Sequence, residues 1–320
     1  MTIVPVPFDP ELRRVLAAMP APEGPAPTLG TIPHMRGAGD PLPTRPPAEV
    51  IGTRPIDVEE HTAPGPEGAP DLALTVLRPR GARGPLPVLY NVHGGGMITG
   101  TRHQDTPRLA DLVEALGVVA VTVEYRLAPE HPYPAQAEDC YAGFLWTAAR
   151  AAELGIDPDG IVLMGGSAGG GLSAAVALMA RDRGGPRAAG QLLICPMLDD
   201  TGTTVSSHQY DGAGTWQRAI NQLAWRAVLG DRTDVPAYAA PARAGDLSGL
   251  PPAFVEVGSA ELFRDEDVAY ASRIWAAGGE AELHVWNGAF HGFDVFAPDH
   301  EVTRAALAAR LSWLRRILHL

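Results

Sequence analysis

Three short stretches of this 320-residue chain carry groups that could act together on a carbonyl carbon. The first is Gly165-Gly166-Ser167-Ala168-Gly169-Gly170. It follows a short apolar run and opens a segment of small, helix-compatible residues, which puts a serine at the tip of a strand-to-helix turn. So tight a turn needs glycine two positions to either side, because a Cβ at Gly165 or Gly169 would meet neighbouring backbone. A hydroxyl there stands at a helix N-terminus, where N–H groups and the helix dipole favour the negative charge that develops on attack. A phosphate cradle would need a following lysine, and a dinucleotide loop would need Gly-x-Gly-x-x-Gly; neither pattern fits.

The second stretch is His93-Gly94-Gly95-Gly96, directly after the apolar run VLYNV. Consecutive glycines leave backbone N–H groups able to point into a cavity, which is what a tetrahedral intermediate's oxyanion requires. The expected donors are the N–H groups of Gly94, Gly95 and Ala168, each worth about 3 kcal/mol in the transition state. His93, at the strand end, reads as a brace for this loop. The third stretch is Ala289-Phe290-His291-Gly292-Phe293, between the last apolar run and the final helical segment. A serine, acid, histidine chain order places the imidazole there, where Nε2 could take the serine proton and pass it to a leaving alkoxide. His284, His300 and His319 fall in a strand, a helix cap and a tail, and read as structural or surface groups. Two carboxylates compete for the role of acid. Glu261 sits just past the apolar run 253–257 and is preferred on position; Asp265 reads as a helix N-cap with Glu266 and Asp267 behind it.

Chemistry of this kind needs a rigid frame, and the hydrophobic pattern supplies one. Short apolar or β-branched runs at 72–78, 88–92, 118–123, 160–164, 191–195, 253–257 and 283–286 read as strands. Helical segments alternate with them at 105–116, 135–153, 168–183, 266–277 and 301–319. That rhythm implies one mostly parallel sheet covered on both faces. Residues 51–199 and 249–320 are read as the catalytic domain. Residues 200–248 hold one helical run, 217–229, and no convincing strand; they read as a cap insertion above the sheet edge. Residues 1–50, rich in proline and glycine, read as an N-terminal cap segment with an amphipathic helix over 9–19, capped by Asp9 and started by Pro10. Met97, Tyr210 and Trp216 are candidate pocket walls, with Trp225 a weaker one.

Composition narrows the function classes. With 46% apolar and 19% charged residues the chain has material for one large core. Its net charge of −12 disfavours nucleic acid as a partner. No apolar stretch approaches the roughly 18 residues of a membrane span, and the N-terminus has no signal-like pattern, so a cytoplasmic enzyme without membrane contact is expected. Cys140 and Cys195 lack metal-ligand spacing and read as buried free thiols. No metal or cofactor is expected.

Taken with Val123-Glu124-Tyr125-Arg126-Leu127-Ala128-Pro129-Glu130 and His131-Pro132-Tyr133-Pro134-Ala135, these motifs resemble the hormone-sensitive-lipase group of carboxylesterases over roughly residues 70–320. The resemblance implies the α/β-hydrolase fold, with an eight-stranded, mostly parallel sheet, a helical cap, and carboxylic ester hydrolysis. Short to medium acyl esters are the expected substrates, and a lactonase or amidase would use the same groups. The resemblance also makes a homodimer through the last strand and helix an expectation. One departure stands out: where the group carries Asp-Pro-Leu-Arg-Asp-Glu, this chain has Glu261-Leu262-Phe263-Arg264-Asp265-Glu266, with glutamate in the acid's place. In the second motif, Arg126 and Glu130 are expected to fix a loop below the site by ion pairing, and Asp139 to be a buried anchor.

Overall fold

Runs rich in valine, leucine and isoleucine form the strands at the centre of the molecule, which a computed structural model describes for residues 3–20, 26–36 and 44–320. The strands are β1 (Ile56–Ala63), β2 (Leu72–Pro79), β3 (Leu86–Val92), β4 (Val119–Val123), β5 (Ile156–Gly166), β6 (Gly190–Ile194), β7 (Ala253–Gly258) and β8 (Ala281–Trp286). They lie in the order β1-β2-β4-β3-β5-β6-β7-β8. The β1–β2 and β2–β4 pairs are antiparallel and the remaining pairs parallel. Strands β4, β6 and β7 are buried along their whole length, as strands covered on both faces must be.

Register carries this frame to the site. Val92 pairs with Gly165, Gly166 with Ile194, Ile194 with Glu256, and Gly258 with Trp286. The carboxyl ends of β3, β5, β6, β7 and β8 therefore end along one edge. The chain leaves β3 toward β4 on one side and returns to β5 on the other, so strand order reverses between β3 and β5. Such a switch point is where open α/β sheets bind ligands.

The helices are α1 (Pro10–Ala18), α2 (Pro47–Ile51), α3 (Thr106–Leu116), α4 (Ala135–Ala149), α5 (Ala151–Leu154), α6 (Ala168–Asp182), α7 (Val205–Gln209), α8 (Arg218–Leu229), α9 (Arg264–Ala276), α10 (Phe293–Phe296) and α11 (Glu301–Ile317). Short 3-10 turns run over Leu29–Met35 and Pro241–Arg243. Leu109 and Val113 of α3 and Trp313 and Leu314 of α11 share one apolar cluster. Phe144 of α4, Val176 of α6 and Ile274 of α9 belong to the other, which also takes in Leu223, Trp225 and Val228 of α8. Trp225 is thus a core side chain and not a pocket wall. Among the described residues no helix is long and apolar enough to cross a membrane.

Three expectations need correction. Strand β1 was not foreseen, because Asp57, Glu59, Glu60 and His61 give this edge strand a polar, half-exposed pattern. The helix expected over 135–153 breaks at Arg150 (φ −98°, ψ 16°) into α4 and α5. Helix α9 starts at Arg264, so Asp265 lies inside its first turn and does not cap it. Helix α1 does follow its sequence signals: the Asp9 carboxylate accepts from the N–H groups of Glu11 and Leu12, with Pro10 at the first position. The loop expected beyond it falls partly on 21–25 and 37–43, outside the described residues.

A buried charge network ties α11 to the sheet. The Arg310 guanidinium contacts the carboxylate of Glu256 on β7 and lies 2.8 Å from that of Asp294 on α10. Arg108 of α3 reaches the same Asp294 at 3.0 Å, and the Trp286 indole N–H donates to Glu256 at 2.8 Å. Burial alone would raise the Asp294 carboxyl, but Arg310 and Arg108 hold it well below the usual carboxylate range. A depressed folded pKa adds stability that is complete above the unfolded value of about 4 and disappears as pH falls through the folded one. Asp294→Asn should therefore cost about 3–5 kcal/mol at neutral pH, since it leaves the buried Arg310 and the half-buried Arg108 guanidinium groups short of countercharge. Its urea-unfolding free energy should also change less between neutral pH and pH 3 than the parent's. Equal slopes with pH in the two proteins would contradict this account.

Candidate active site

Ser167 caps α6 with φ +57° and ψ −124°, a left-handed conformation that non-glycine residues avoid. The surrounding backbone explains how it is held. A Cβ at Gly169 would lie 2.0 Å from the Val92 carbonyl oxygen, and one at Gly165 would lie 2.4 Å from Gly169 backbone. The Ser167 N–H donates to the Ile194 carbonyl (2.8 Å), and the Ser167 carbonyl accepts from Met197 N–H (2.9 Å). Strands β3, β5 and β6 and helix α6 thus fix the hydroxyl at the sheet edge.

The imidazole and the carboxylate arrive on two neighbouring loops that are stitched together. After β7, the N–H groups of Ser259 and Ala260 donate to the carbonyls of Trp286, the last residue of β8, and Ala289 in the loop that follows. Gly258 sits so close that a Cβ would be 2.1 Å from the Ala289 oxygen. Across this seam His291 Nδ1 and Glu261 Oε2 are 2.5 Å apart, and His291 Nε2 is 3.0 Å from Ser167 Oγ. A carboxylate only accepts, so Nδ1 holds the proton and Nε2 turns its lone pair to the serine. The other oxygen of Glu261 accepts from Gly258 N–H at 2.9 Å. Phe263 meets the imidazole edge-on, with ring centroids 5.2 Å apart, and Thr215 donates its hydroxyl to the His291 carbonyl. Helix α1 backs this loop, with Leu12 packed among Ala289, Phe290 and Phe293.

Asp265 lies elsewhere. Its carboxylate accepts from Ser206 N–H of α7 at 2.7 Å and pairs with Arg264. Glu266 accepts from the N–H groups of Leu198 and Asp199. Of the two carboxylates open in the sequence, only Glu261 meets the imidazole.

The glycine loop runs beside the serine. A Cβ on Gly94 would stand 3.5 Å from the Ser167 Cβ. Gly95, at φ +103°, turns its carbonyl to accept from Ile98 and Thr99. Among the described residues, the N–H groups of Gly94, Gly95 and Ala168 donate to no protein acceptor. His93 braces the turn: Nδ1–H donates to the Gly94 carbonyl (2.8 Å) and the ring stacks on Tyr125, whose hydroxyl donates to the His93 carbonyl. Arg126 pairs with fully buried Asp139, not with Glu130. Glu130 is held by Arg36, which also donates to the Ile98 and Ala128 carbonyls at 2.7 Å. The N-terminal segment is thereby joined to the glycine loop, a link that no local sequence signal announced.

Of the proposed pocket walls, Trp216 lies at the site. A Cβ on Gly96 would be 2.4 Å from its indole, whose centroid is 6.4 Å from that of His291. Met97 is buried directly after the glycines, and its carbonyl accepts from Ala128 N–H. Tyr210 needs correction: it is buried, its hydroxyl donates to the Val6 carbonyl and its ring faces Phe8, so it fastens the N-terminal segment. Sequence reasoning also missed Cys195. It is a buried free thiol as expected, but it stands beside Glu261 and His291.

A hydroxyl, a base and a carboxylate in line at the switch point of such a sheet can carry out acyl transfer, and the fold is that of an α/β hydrolase. Comparison with known proteins agrees. A family model described as alpha/beta hydrolase fold matches residues 89–295. Carboxylesterase NlhH of Mycobacterium tuberculosis is 38% identical over 270 residues, covering 82% of this chain and 84% of that protein. A bacterial heroin esterase superposes with a TM-score of 0.89 at 38% identity, covering 97% of this chain and 98% of that one. A hyperthermophilic esterase from Pyrobaculum calidifontis gives 0.86 at 33% identity over 97% and 99%. The chain belongs to the hormone-sensitive-lipase-like carboxylesterases of the α/β-hydrolase family.

Two substitutions separate the acids. Glu261→Gln should lower kcat by about 10⁴-fold with little change in KM, because the imidazole loses its orienting charge. Asp265→Asn should leave kcat/KM within about threefold and cost about 1–2 kcal/mol of unfolding free energy through the weakened bond to Ser206. Steady-state kinetics and urea unfolding of the two variants check both, and the reverse pattern would exchange the assignments.

Proposed function

We propose that the chain hydrolyses short to medium acyl carboxylic esters through Ser167, His291 and Glu261, by way of an acyl-enzyme. The observation that carries this reading is the unbroken line from the Glu261 carboxylate through the imidazole to the serine hydroxyl, at 2.5 Å and 3.0 Å. Nε2 takes the Ser167 proton as Oγ attacks the ester carbonyl. The carbonyl oxygen, now negative, is received by the N–H groups of Gly94, Gly95 and Ala168 at the N-terminus of α6. The imidazolium, steadied by Glu261, protonates the departing alkoxide. Water then repeats the sequence on the acyl-enzyme and frees the acid.

The described residues of the 1–50 segment and residues 200–248 together form the cap in this proposal. Gln209 and Tyr210 donate to the Val4 and Val6 carbonyls, which joins the two pieces, and Thr215 and Trp216 bring the insertion to His291 and Gly96. The indole of Trp216 against the glycine loop narrows the space beside the nucleophile and favours acyl chains of modest length. Lactones and amides would meet the same three groups.

The test is a series of p-nitrophenyl esters from acetate to palmitate. Turnover per KM should peak between butyrate and octanoate and fall for laurate and longer chains. Ser167→Ala should lose at least about 10³-fold in kcat on every member. Parent-like turnover in that variant would end the proposal. A maximum at palmitate would leave the chemistry standing but not the substrate range. Separately, Gly95→Ala, whose new Cβ would meet the Thr99 carbonyl at 2.3 Å, should lower kcat by about 10²–10³-fold while KM moves little.

A further inference from the structure

Cys195 follows β6 with φ +39°, and the proposed reaction makes no use of its thiol. Its Sγ, a carboxylate oxygen of Glu261 and a ring nitrogen of His291 all lie within 4.8 Å of one another. The three donors come from the ends of β6, β7 and β8, and each is held from outside the cluster. Cys195 N–H donates to the Glu256 carbonyl at 2.6 Å, Glu261 accepts from Gly258 N–H, and the His291 loop is sewn to the Glu261 loop by the Ala260–Ala289 bond. The cluster is sheltered: Cys195 and Glu261 are buried, and the imidazole is only 12% exposed. Burial, and next the charge of Glu261, push the thiol well above its ordinary range, so it is protonated at neutral pH.

One thiol, one imidazole and one carboxylate make a donor set that suits zinc and its thiophilic relatives, not magnesium or calcium. Zinc bonds of about 2.3 Å to sulfur and about 2.0–2.2 Å to nitrogen and oxygen hold tetrahedral ligands roughly 3.3–3.7 Å apart. Side-chain shifts of about 1 Å would bring the present donors to those separations.

We propose that Cys195, Glu261 and His291 form an inhibitory site for a thiophilic divalent cation of the zinc class, which switches the esterase off by taking the lone pair of its base. The inference rests on the reading of His291 as that base. Binding forms a metal–sulfur bond as the thiol proton leaves to water; Glu261 binds through a carboxylate oxygen, and a water fills the fourth position. A neutral imidazole has one lone pair. Metal on Nδ1 obliges the ring proton to sit on Nε2, facing Ser167 Oγ; metal on Nε2 removes that lone pair directly. In either case the serine proton has no acceptor.

Two measurements test this, one of which needs no turnover. In the first, chelator-treated enzyme is assayed on p-nitrophenyl butyrate against buffered zinc. Activity should fall to near zero and return with EDTA. In Cys195→Ser and Cys195→Ala the zinc midpoint should rise at least about tenfold. In the second, cobalt(II) is added to Ser167→Ala. One equivalent should produce a near-ultraviolet thiolate-to-cobalt band that is absent from Ser167→Ala/Cys195→Ser and retained in Ser167→Ala/Cys140→Ser. Equal zinc midpoints with and without the Cys195 thiol, or cobalt binding without the band, would overturn the proposal. A chelator-treated parent that hydrolyses no ester would instead count against the esterase mechanism, and the cobalt titration would still report on the site.

Discussion

Ser167 keeps its left-handed backbone because the chain around it is packed too closely to take another course. Left-handed residues with a side chain carry roughly 1–3 kcal/mol of strain, and such strain persists only where surrounding structure over-determines it. Here the over-determination is physical contact: Gly165, Gly169 and Gly171 each touch backbone at distances no Cβ could occupy. These contacts join β3, β5, β6 and α6 into one unit. The hydroxyl, the amide hydrogens of the glycine loop and the N-terminus of α6 therefore have fixed relative positions before any substrate arrives, and electrostatic stabilisation of an oxyanion depends on that preorganisation.

The carboxylate side of the site poses a different problem, since Glu261, Glu266 and Asp267 are all buried within seven residues of chain. Three anions could not share so small a volume. Burial first, and then the neighbouring acids, push Glu266 and Asp267 well above the ordinary range. A second layer of charge lies behind the histidine loop, where Asp294, three residues after His291, is clamped by Arg108 and Arg310. The same Arg310 contacts Glu256 of β7, the strand that leads to Glu261. One buried guanidinium thus ties the His291 loop to the strand that leads to Glu261.

The sequence made most of this frame legible because parallel strands buried on both faces are nearly continuous apolar runs, which few other elements imitate. It was silent on β1, where an edge strand exposes charge, and on the break at Arg150, where helix propensity continues through a turn. Ser167, His291 and the glycine loop were readable because each must follow a strand directly. Glu261 was separable from Asp265 by the same argument, although α9 begins earlier than the acidic cluster suggested. The partners that are distant in sequence left no local trace. Arg36 on the glycine loop, Tyr210 on Val6 and Cys195 beside the imidazole are consequences of tertiary packing alone.

Glutamate in place of aspartate follows from the same geometry. The Glu261 carboxylate reaches back three residues to the N–H of Gly258 with one oxygen and forward to His291 Nδ1 with the other. Gly258 cannot move toward a shorter side chain, because its Cα already lies against the Ala289 carbonyl, and that carbonyl accepts from Ala260 N–H. An aspartate at this position, one methylene shorter, would have to give up one of the two bonds or draw the whole 258–261 turn toward the imidazole. The seam between the loops after β7 and β8 resists such a shift. The extra methylene therefore belongs to the positioning of the imidazole, and the shape of this turn selects it.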